Sequence, residues 1–202
     1  MTFTLTDEDV RALGDGDVVV RDGLVGAEAA RALAEEALAL AAAARPAGIG
    51  RGGEPHHDRA LRGDDILWLD DATAVGPALA AWREVIAAVA AELDRAAYLG
   101  IRSIELQLAI YRIPGAAYAR HSDAFRGRAL RRATLIHYLN PAWSPAHGGQ
   151  LRAHTSAGPR TIEPILDRAI LFLSDRVDHE VQPSHAPRLA LTAWFRGPDL
   201  DL

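Results

Sequence analysis

Three residues of this chain could hold a metal ion between them: His121 and Asp123, separated only by Ser122, and His179 far downstream. A strand alternates its side chains, so an H-x-D tripeptide on a strand aims an imidazole and a carboxylate at one point. A second imidazole from a distant strand completes a triad of two nitrogens and one oxygen. That donor set suits a borderline divalent ion. Three ligands on one octahedral face leave three positions open, the arrangement of non-haem Fe(II) oxygenase sites. Arg188, nine residues after His179, adds a planar fork that can hold a carboxylate bidentately. Metal and arginine together could grip a small dicarboxylate at both ends.

Taken alone, H-x-D is a chance tripeptide, and a surface histidine beside a surface aspartate is its bland reading. The chain has eight histidines, so the choice of two needs reasons. His56 and His57 fall in a loop after Pro55, His147 and His154 flank the Gly148-Gly149 turn, and His185 sits in the turn before Arg188. Each of these reads as a solvent-exposed or turn histidine, with the adjacent pair His56 and His57 the one that could touch a substrate or scavenge adventitious metal. Arg126, Arg128, Arg131 and Arg132 follow the H-x-D segment and read as a solvated run.

Several parts of the chain must cooperate to position such a site. Asp17 to Val20 reads as a short strand, and Gly26 to Ala44 as an alanine-rich helix with Ala30, Leu33, Ala37 and Leu40 on one stripe. Arg45 to Pro55 carries four glycines and two prolines, too many for any regular element, and reads as a mobile loop. Ile66 to Leu69 returns as a strand. Pro77 then opens a helix running to Gly100, whose Leu79, Trp82, Ile86, Val89 and Leu93 repeat at helical spacing as a core stripe.

From Ile104 the period changes to two. Short strands are expected at Ile104 to Arg112, Tyr118 to Asp123, Ala133 to Leu139, Gln150 to Ala153, Thr161 to Pro164, Ala169 to Ser174, His179 to Gln182 and Leu189 to Phe195. Eight such strands with turn signals between them predict an antiparallel sandwich or jelly roll, mostly β, with the N-terminal helices packed outside one sheet. On the last strand Arg188, Ala190, Thr192 and Trp194 share one face, and Leu189, Leu191, Ala193 and Phe195 the other, more apolar one.

Composition excludes much other chemistry. With 202 residues a single domain is expected: 1–100 as helical support and loop, 101–202 as the jelly-roll core. No cysteine is present, which removes disulfides, thiolate metal sites and cysteine nucleophiles. All 22 basic residues are arginine, so Schiff-base and P-loop lysines are absent too. The net charge of −5 is uneven, with 18 acids and 9 arginines before residue 101 and 9 acids and 13 arginines after it. An acidic chain whose arginine cluster lacks interleaved aromatics gives no sign of nucleic-acid binding. The first residues carry no basic and apolar leader pattern, and no apolar run reaches membrane-spanning length. A soluble cytoplasmic protein is expected.

Beyond the triad, further motifs occur in order. They are Arg62-Gly-Asp-x-Ile-x-Trp68, Tyr111, Tyr118, Thr134-Leu-Ile-His-Tyr-Leu-Asn140, Gly148-Gly149-x-Leu151, Ile162-Glu-Pro164, Asp167-Arg168, Ser174-Asp-Arg176, His179-Glu-Val-x-Pro183 and Arg188-x-x-x-Thr192-x-Trp194. From about Arg62 to Trp194 the chain resembles the 2-oxoglutarate and Fe(II) dependent prolyl 4-hydroxylases, in the branch of the hypoxia-inducible-factor prolyl hydroxylases and their bacterial relatives. The resemblance implies a double-stranded β-helix, with Fe(II) on His121, Asp123 and His179, O2 as oxidant and ascorbate as an auxiliary reductant. It implies that Arg188 and Tyr138 bind the distal carboxylate of 2-oxoglutarate and that Tyr111 lies near its metal-bound end. If Tyr138 faces the pocket, strand parity brings Thr134 and Ile136 with it, turns His137 away, and adds Thr192 to the lining.

By the same resemblance Asp64, Arg131, Trp194 and Tyr118 serve substrate binding or closure, with Asp64 able to pair with Arg131 when the loop folds over a peptide. Retention of Asp123 implies hydroxylation, since related halogenases replace that carboxylate. The substrate implied is a proline in an extended protein loop, a translation elongation factor being one candidate by analogy with bacterial relatives. A hydroxylase of a free amino acid or natural-product intermediate is the alternative, because one such core serves many small substrates. A binding protein for iron and 2-oxoglutarate without turnover is a third reading.

Overall fold

The computed structural model describes residues 3–48, 57–70, 72–124 and 131–198. Its first element, helix α1 (Asp7–Gly14), is one the sequence reading lacks. Thr6 caps it: the Thr6 hydroxyl accepts from the Asp9 N–H at 3.2 Å, and the Asp9 carboxylate accepts from the Thr6 N–H at 2.8 Å. Strand β1 (Val19–Asp22) and helix α2 (Ala27–Leu40) follow, α2 burying Ala30, Leu33 and Ala37. The helix stops short of the expected Ala44, and a 3-10 turn (Ala41–Ala43) takes over.

Arg45 to Pro55 is corrected at its start. Arg45–Pro46 forms a short strand, β2, paired with β3 (Asp65–Trp68) at the sheet edge, where proline is tolerated. Residues 49–56, including His56, lie outside the described residues. Helix α3 (Pro77–Ala97) opens on Pro77 as expected and has no cap of its own. Glu36 of α2 supplies one, accepting from the Ala78 and Leu79 N–H groups at 2.9 Å each. No helix among the described residues is long and apolar enough to cross a membrane.

The remaining strands are β4 (Ser103–Tyr111), β5 (Ala116–His121), β6 (Arg131–Tyr138), β7 (Leu151–Thr155), β8 (Gly158–Ile162), β9 (Arg168–Leu173), β10 (Asp178–Ser184) and β11 (Arg188–Arg196). Among the described residues, two antiparallel sheets form: β1-β9-β6-β11-β4-β3-β2 and β5-β10-β7-β8. This is the expected jelly roll, except that β1, β2 and β3 from the first half of the chain extend the larger sheet.

Two cores result. On the outer face of the larger sheet, Leu33, Trp82, Ile86 and Leu93 of the helices meet Leu108, Leu135, Leu191 and Phe195. Each fully buried side chain of this kind contributes about 1.5–3 kcal/mol. Between the sheets, Tyr111, Ile136, Tyr138, Leu151, Phe172 and Val181 pack together. Strand β11 is buried on both faces: Leu189, Leu191, Ala193 and Phe195 enter the helix-side core, while Arg188, Ala190, Thr192 and Trp194 line a cavity between the sheets. That is the division that strand parity predicts.

Candidate metal centre and its cavity

The metal-ligand candidates come together because β5 and β10 pair in a register that sets His179 opposite His121. Asp123 is not on the strand, as the alternation argument assumed; β5 ends at His121, and Asp123 lies in the turn just beyond. That turn is pinned by the Ser122 hydroxyl and the Ala124 N–H, both donating to the Ser174 carbonyl at 3.0 and 3.2 Å. Ligand atoms of His121, Asp123 and His179 all lie within 4.8 Å of one another. The Nε2 atoms of His121 and His179 stand 3.8 and 3.7 Å from the two Asp123 oxygens.

Both imidazoles are oriented from behind. Nδ1 of His121 lies 2.9 Å from the Ala119 carbonyl, and Nδ1 of His179 lies 3.3 Å from that of Val177. A carbonyl can only accept, so the proton sits on Nδ1 and the Nε2 lone pair faces Asp123. Burial, with His179 beside it, pushes His121 down to about 4, so its ring is neutral and ready to ligate at neutral pH. Burial would push Asp123 up, but the two imidazoles and the Thr134 hydroxyl outweigh it and hold the carboxyl below its usual range. Thr134 donates to Asp123 Oδ2 at 2.8 Å and lies 2.8 Å from the Ser174 hydroxyl. The Trp194 indole N–H also faces this carboxylate, without hydrogen-bonding geometry.

The cavity behind the triad encloses about 330 Å³. Register sets Tyr111 opposite Arg188 and Tyr138 opposite Ala190, and the guanidinium lies 4.9 and 5.0 Å from the Tyr111 and Tyr138 ring centres. Arg188 Nε donates to the Gly149 carbonyl at 2.8 Å, which aims the terminal nitrogens into the cavity. Gly149 must be glycine: its φ is +71°, and a Cβ would stand 2.9 Å from Arg188 Cδ. Tyr138 is fully buried, and its hydroxyl faces the Arg188 guanidinium without hydrogen-bonding geometry. Burial pushes Tyr138 up to about 12 and Tyr111 higher still, so both remain hydrogen-bond donors.

Ile136, Thr192, Trp194, Arg131, Asp64 and Tyr118 line the same cavity. Thr134 does not: it was expected beside 2-oxoglutarate, but its hydroxyl is turned to Asp123 and Ser174, because the turn after β5 brings the carboxylate over it. Asp64 and Arg131, expected to pair when the loop folds over a peptide, each have another partner in this structure. Asp64, 1% exposed, takes the Arg62 fork at 2.9 and 3.2 Å, while Arg131 pairs with Glu105 at 2.7 Å and lies 3.9 Å over the Trp194 ring. Arg126 and Arg128 lie outside the described residues.

Among the other histidines, His137 faces away from the cavity as expected, its Nε2 3.0 Å from Asp167. His57 Nδ1 lies 3.1 Å from the Ala47 carbonyl, His147 Nδ1 accepts from the Ser144 N–H, and His154 approaches Glu180. None of these joins the triad. Trp68, the last residue of the Arg62-Gly-Asp-x-Ile-x-Trp68 motif, also lines the cavity, as does Gln107, which sequence reasoning passed over. Gln107 was findable, since it lies four residues before Tyr111 on β4 and therefore shares its face.

The family model described as the 2OG-Fe(II) oxygenase superfamily matches residues 106–196. Prolyl hydroxylase EGLN3 of Mus musculus is 37% identical over 145 residues, 68% of this chain and 59% of that protein. The hypoxia-inducible factor prolyl hydroxylase of Caenorhabditis elegans is 36% identical over 152 residues, 69% of this chain and 20% of that one. The chain therefore spans less than two thirds of the curated relatives it matches. Among solved structures, a Pseudomonas putida prolyl-4-hydroxylase superposes with a TM-score of 0.82 at 32% identity, covering 95% of this chain and 98% of that one. A Trichoplax adhaerens prolyl hydroxylase, in complex with a hypoxia-inducible factor oxygen degradation domain peptide, gives 0.81 at 26% identity, covering 93% and 86%. The chain belongs to the 2OG-Fe(II) oxygenase superfamily, in its prolyl 4-hydroxylase family.

Proposed function

We propose that this chain is an Fe(II)- and 2-oxoglutarate-dependent dioxygenase that hydroxylates a prolyl residue in a protein or peptide, with succinate and CO2 as co-products. One observation carries the reading: the His121, Asp123 and His179 triad and the Arg188 guanidinium open into a single cavity between the sheets. The donor set fits, two imidazoles and one carboxylate for Fe(II). So does the far end, where a buried arginine and a Tyr138 hydroxyl that makes no hydrogen bond of good geometry among the described residues match the needs of a carboxylate.

His121, Asp123 and His179 would hold the metal, and Arg188, Tyr138 and Tyr111 would hold 2-oxoglutarate, with Ile136 and Thr192 lining its cavity. Fe(II) bound there supplies O2 activation for the coupled oxidation of 2-oxoglutarate and substrate. The chain's own part is orientation. Ala119 and Val177 carbonyls fix the imidazole tautomers, Thr134 fixes the carboxylate, and Gly149 aims Arg188. Ile136, Leu151, Val181 and Ala190 give the same cavity an apolar lining.

An aromatic ledge supports a peptide substrate. Trp68 is 46% exposed and its ring lies 5.7 Å from that of Trp194, beside Tyr118 and Arg131 at the same cavity. Extended proline-containing segments dock on aromatic-lined surfaces of this sort. A translation elongation factor with an exposed prolyl loop is the partner to try first. The test is mass spectrometry of candidate proteins incubated with the enzyme, Fe(II) and 2-oxoglutarate. A gain of one oxygen on a proline, dependent on 2-oxoglutarate, supports the reading. Equal oxidation of free L-proline would assign the activity to small molecules instead.

A further inference from the structure

Tyr118 and His121 are three apart on β5, so in a regular strand they would point to opposite sides of the sheet. They do not. Their rings are stacked, with centroids 3.7 Å apart and planes 14° from parallel. The pairing with β10 explains this: His121 pairs with His179 and Tyr118 with Val181, so three steps on β5 face two on β10. That is a β-bulge, the device by which a strand re-aims a side chain beside an active site.

The stack is held from outside as well. Residues 61–63 add themselves to the free edge of β5 through Gly63 N–H to Ala117 carbonyl and Ala119 N–H to Leu61 carbonyl bonds, each 2.8 Å, with Arg62 bridged to Tyr118. The Arg62 guanidinium carbon sits 4.5 Å from the Tyr118 ring centre. A ring face already covered at 3.7 Å leaves no room for a second planar group, so the guanidinium covers the opposite face. Arg62 is fixed in turn by its fork to buried Asp64. The close approach needs Gly63, whose Cβ would stand 2.9 Å from Ala116 Cβ and 3.0 Å from Ala116 Cα.

Resting on the metal-site reading above, we propose that Tyr118 is a positioning residue for the metal ligand His121: its bulge-borne ring, backed by Arg62 on the docked segment 61–63, sets the plane of the imidazole. The Nδ1 bond to Ala119 restrains that ring within its plane, while the stack restrains its tilt. Docking of residues 61–63 is thereby coupled to metal affinity.

The test is titration of the full chain with Co(II), a spectroscopic stand-in for Fe(II), following its d–d absorption and needing no turnover. Tyr118→Leu, which keeps bulk and loses the ring face, is expected to weaken Co(II) binding about tenfold or more, the range for loss of a ligand's supporting group. It should also shift the d–d bands. Tyr118→Phe, which keeps the stack, should bind within about twofold of the parent, a difference too small to count as loss of a supporting contact. Gly63→Ala deletes no cavity side chain but forces the segment off β5, withdrawing Arg62 from the Tyr118 ring, and is expected to weaken binding at least threefold. It serves as the deciding variant if Tyr118→Leu does not fold. Parent-like affinity and spectrum in a folded Tyr118→Leu, or in Gly63→Ala, would overturn the proposal, as would equal loss in Phe and Leu variants. Failure of the unsubstituted chain to bind Co(II) at all would instead sink the metal-site reading.

Discussion

His121 and His179 face each other as register partners across β5 and β10, their ring centroids 4.3 Å apart. Residues directly opposite on antiparallel strands are about 4.5–5.5 Å apart, so the pairing itself delivers two imidazoles to one point. A slip of one residue would send one of them to the other face. The metal centre is thus a property of strand register, completed by a carboxylate from the adjoining turn.

His179→Ala removes one nitrogen from this pair without disturbing the sheet ladder, which is made by backbone. We expect iron content to fall from one per chain to near zero after desalting, with far-UV circular dichroism unchanged. Full iron stoichiometry by elemental analysis would place the metal elsewhere.

Thr134→Val keeps the shape of a fully buried side chain and deletes the hydroxyl that holds Asp123 Oδ2. Loss of such a supporting bond weakens metal binding about 10–100-fold. Competition with a chelator of known affinity measures it. An unchanged constant would mean that the turn pinned by Ser122 and Ala124 orients the carboxylate unaided.

Much of this site was legible in the sequence, and the reasons for the gaps are physical. Arg188, Thr192 and Trp194 were placed on one face because β11 is regular and its other face is uniformly apolar. Asp123 was misplaced onto a strand because only the Ser174 carbonyl, some fifty residues away, shows that β5 ends at His121. The Tyr118–His121 stack was invisible to alternation, since a bulge shifts parity without any mark of its own in composition. Thr134 had the right face and the wrong role, which a carboxylate from the neighbouring turn decided. Helix α1 lacked a long apolar stripe, although Thr6 and Asp9 spell its cap.

Arg188→Lys replaces a fork with a point charge and loses the Nε bond to Gly149. The KM for 2-oxoglutarate should rise about tenfold or more while iron affinity stays within a factor of about two, the pattern of lost cosubstrate binding. An unchanged KM in steady-state kinetics would remove Arg188 from the 2-oxoglutarate site.

Acid stability should report on Asp167. Burial would raise its carboxyl, but the His137 ring and the N–H groups of Val25 and Gly26 outweigh burial and hold it below the ordinary 3.8. A depressed folded value means stability that is present above about pH 4 and is lost as pH falls through the folded value. Asp167→Asn keeps a residue tolerant of the observed φ of 63° and removes the titrating group. Its melting temperature should therefore be lower near neutral pH and fall less steeply below about pH 4 than the parent's. Parallel curves in thermal scans across that range would show that other carboxylates govern acid unfolding.

The substrate ledge can be separated from the cofactor site at Trp68. Reversing Asp64 would be a poor test, because that carboxylate is buried against Arg62, and removing one partner of a buried pair costs about 3–5 kcal/mol. Trp68 is 46% exposed and is neither a metal-ligand candidate nor one of the residues assigned to 2-oxoglutarate, so Trp68→Ala should fold and bind Fe(II) and 2-oxoglutarate as the parent does. What it removes is one of the two rings against which an extended chain would lie. We expect kcat/KM for a prolyl peptide to fall at least tenfold, about 1.4 kcal/mol of lost transition-state binding, while 2-oxoglutarate turnover without peptide stays within about twofold, below what one lost contact would cost. Equal loss of both rates would make Trp68 a structural residue of β3. Unchanged peptide turnover would move the substrate off the ledge, toward a molecule small enough to be held by the inner cavity alone.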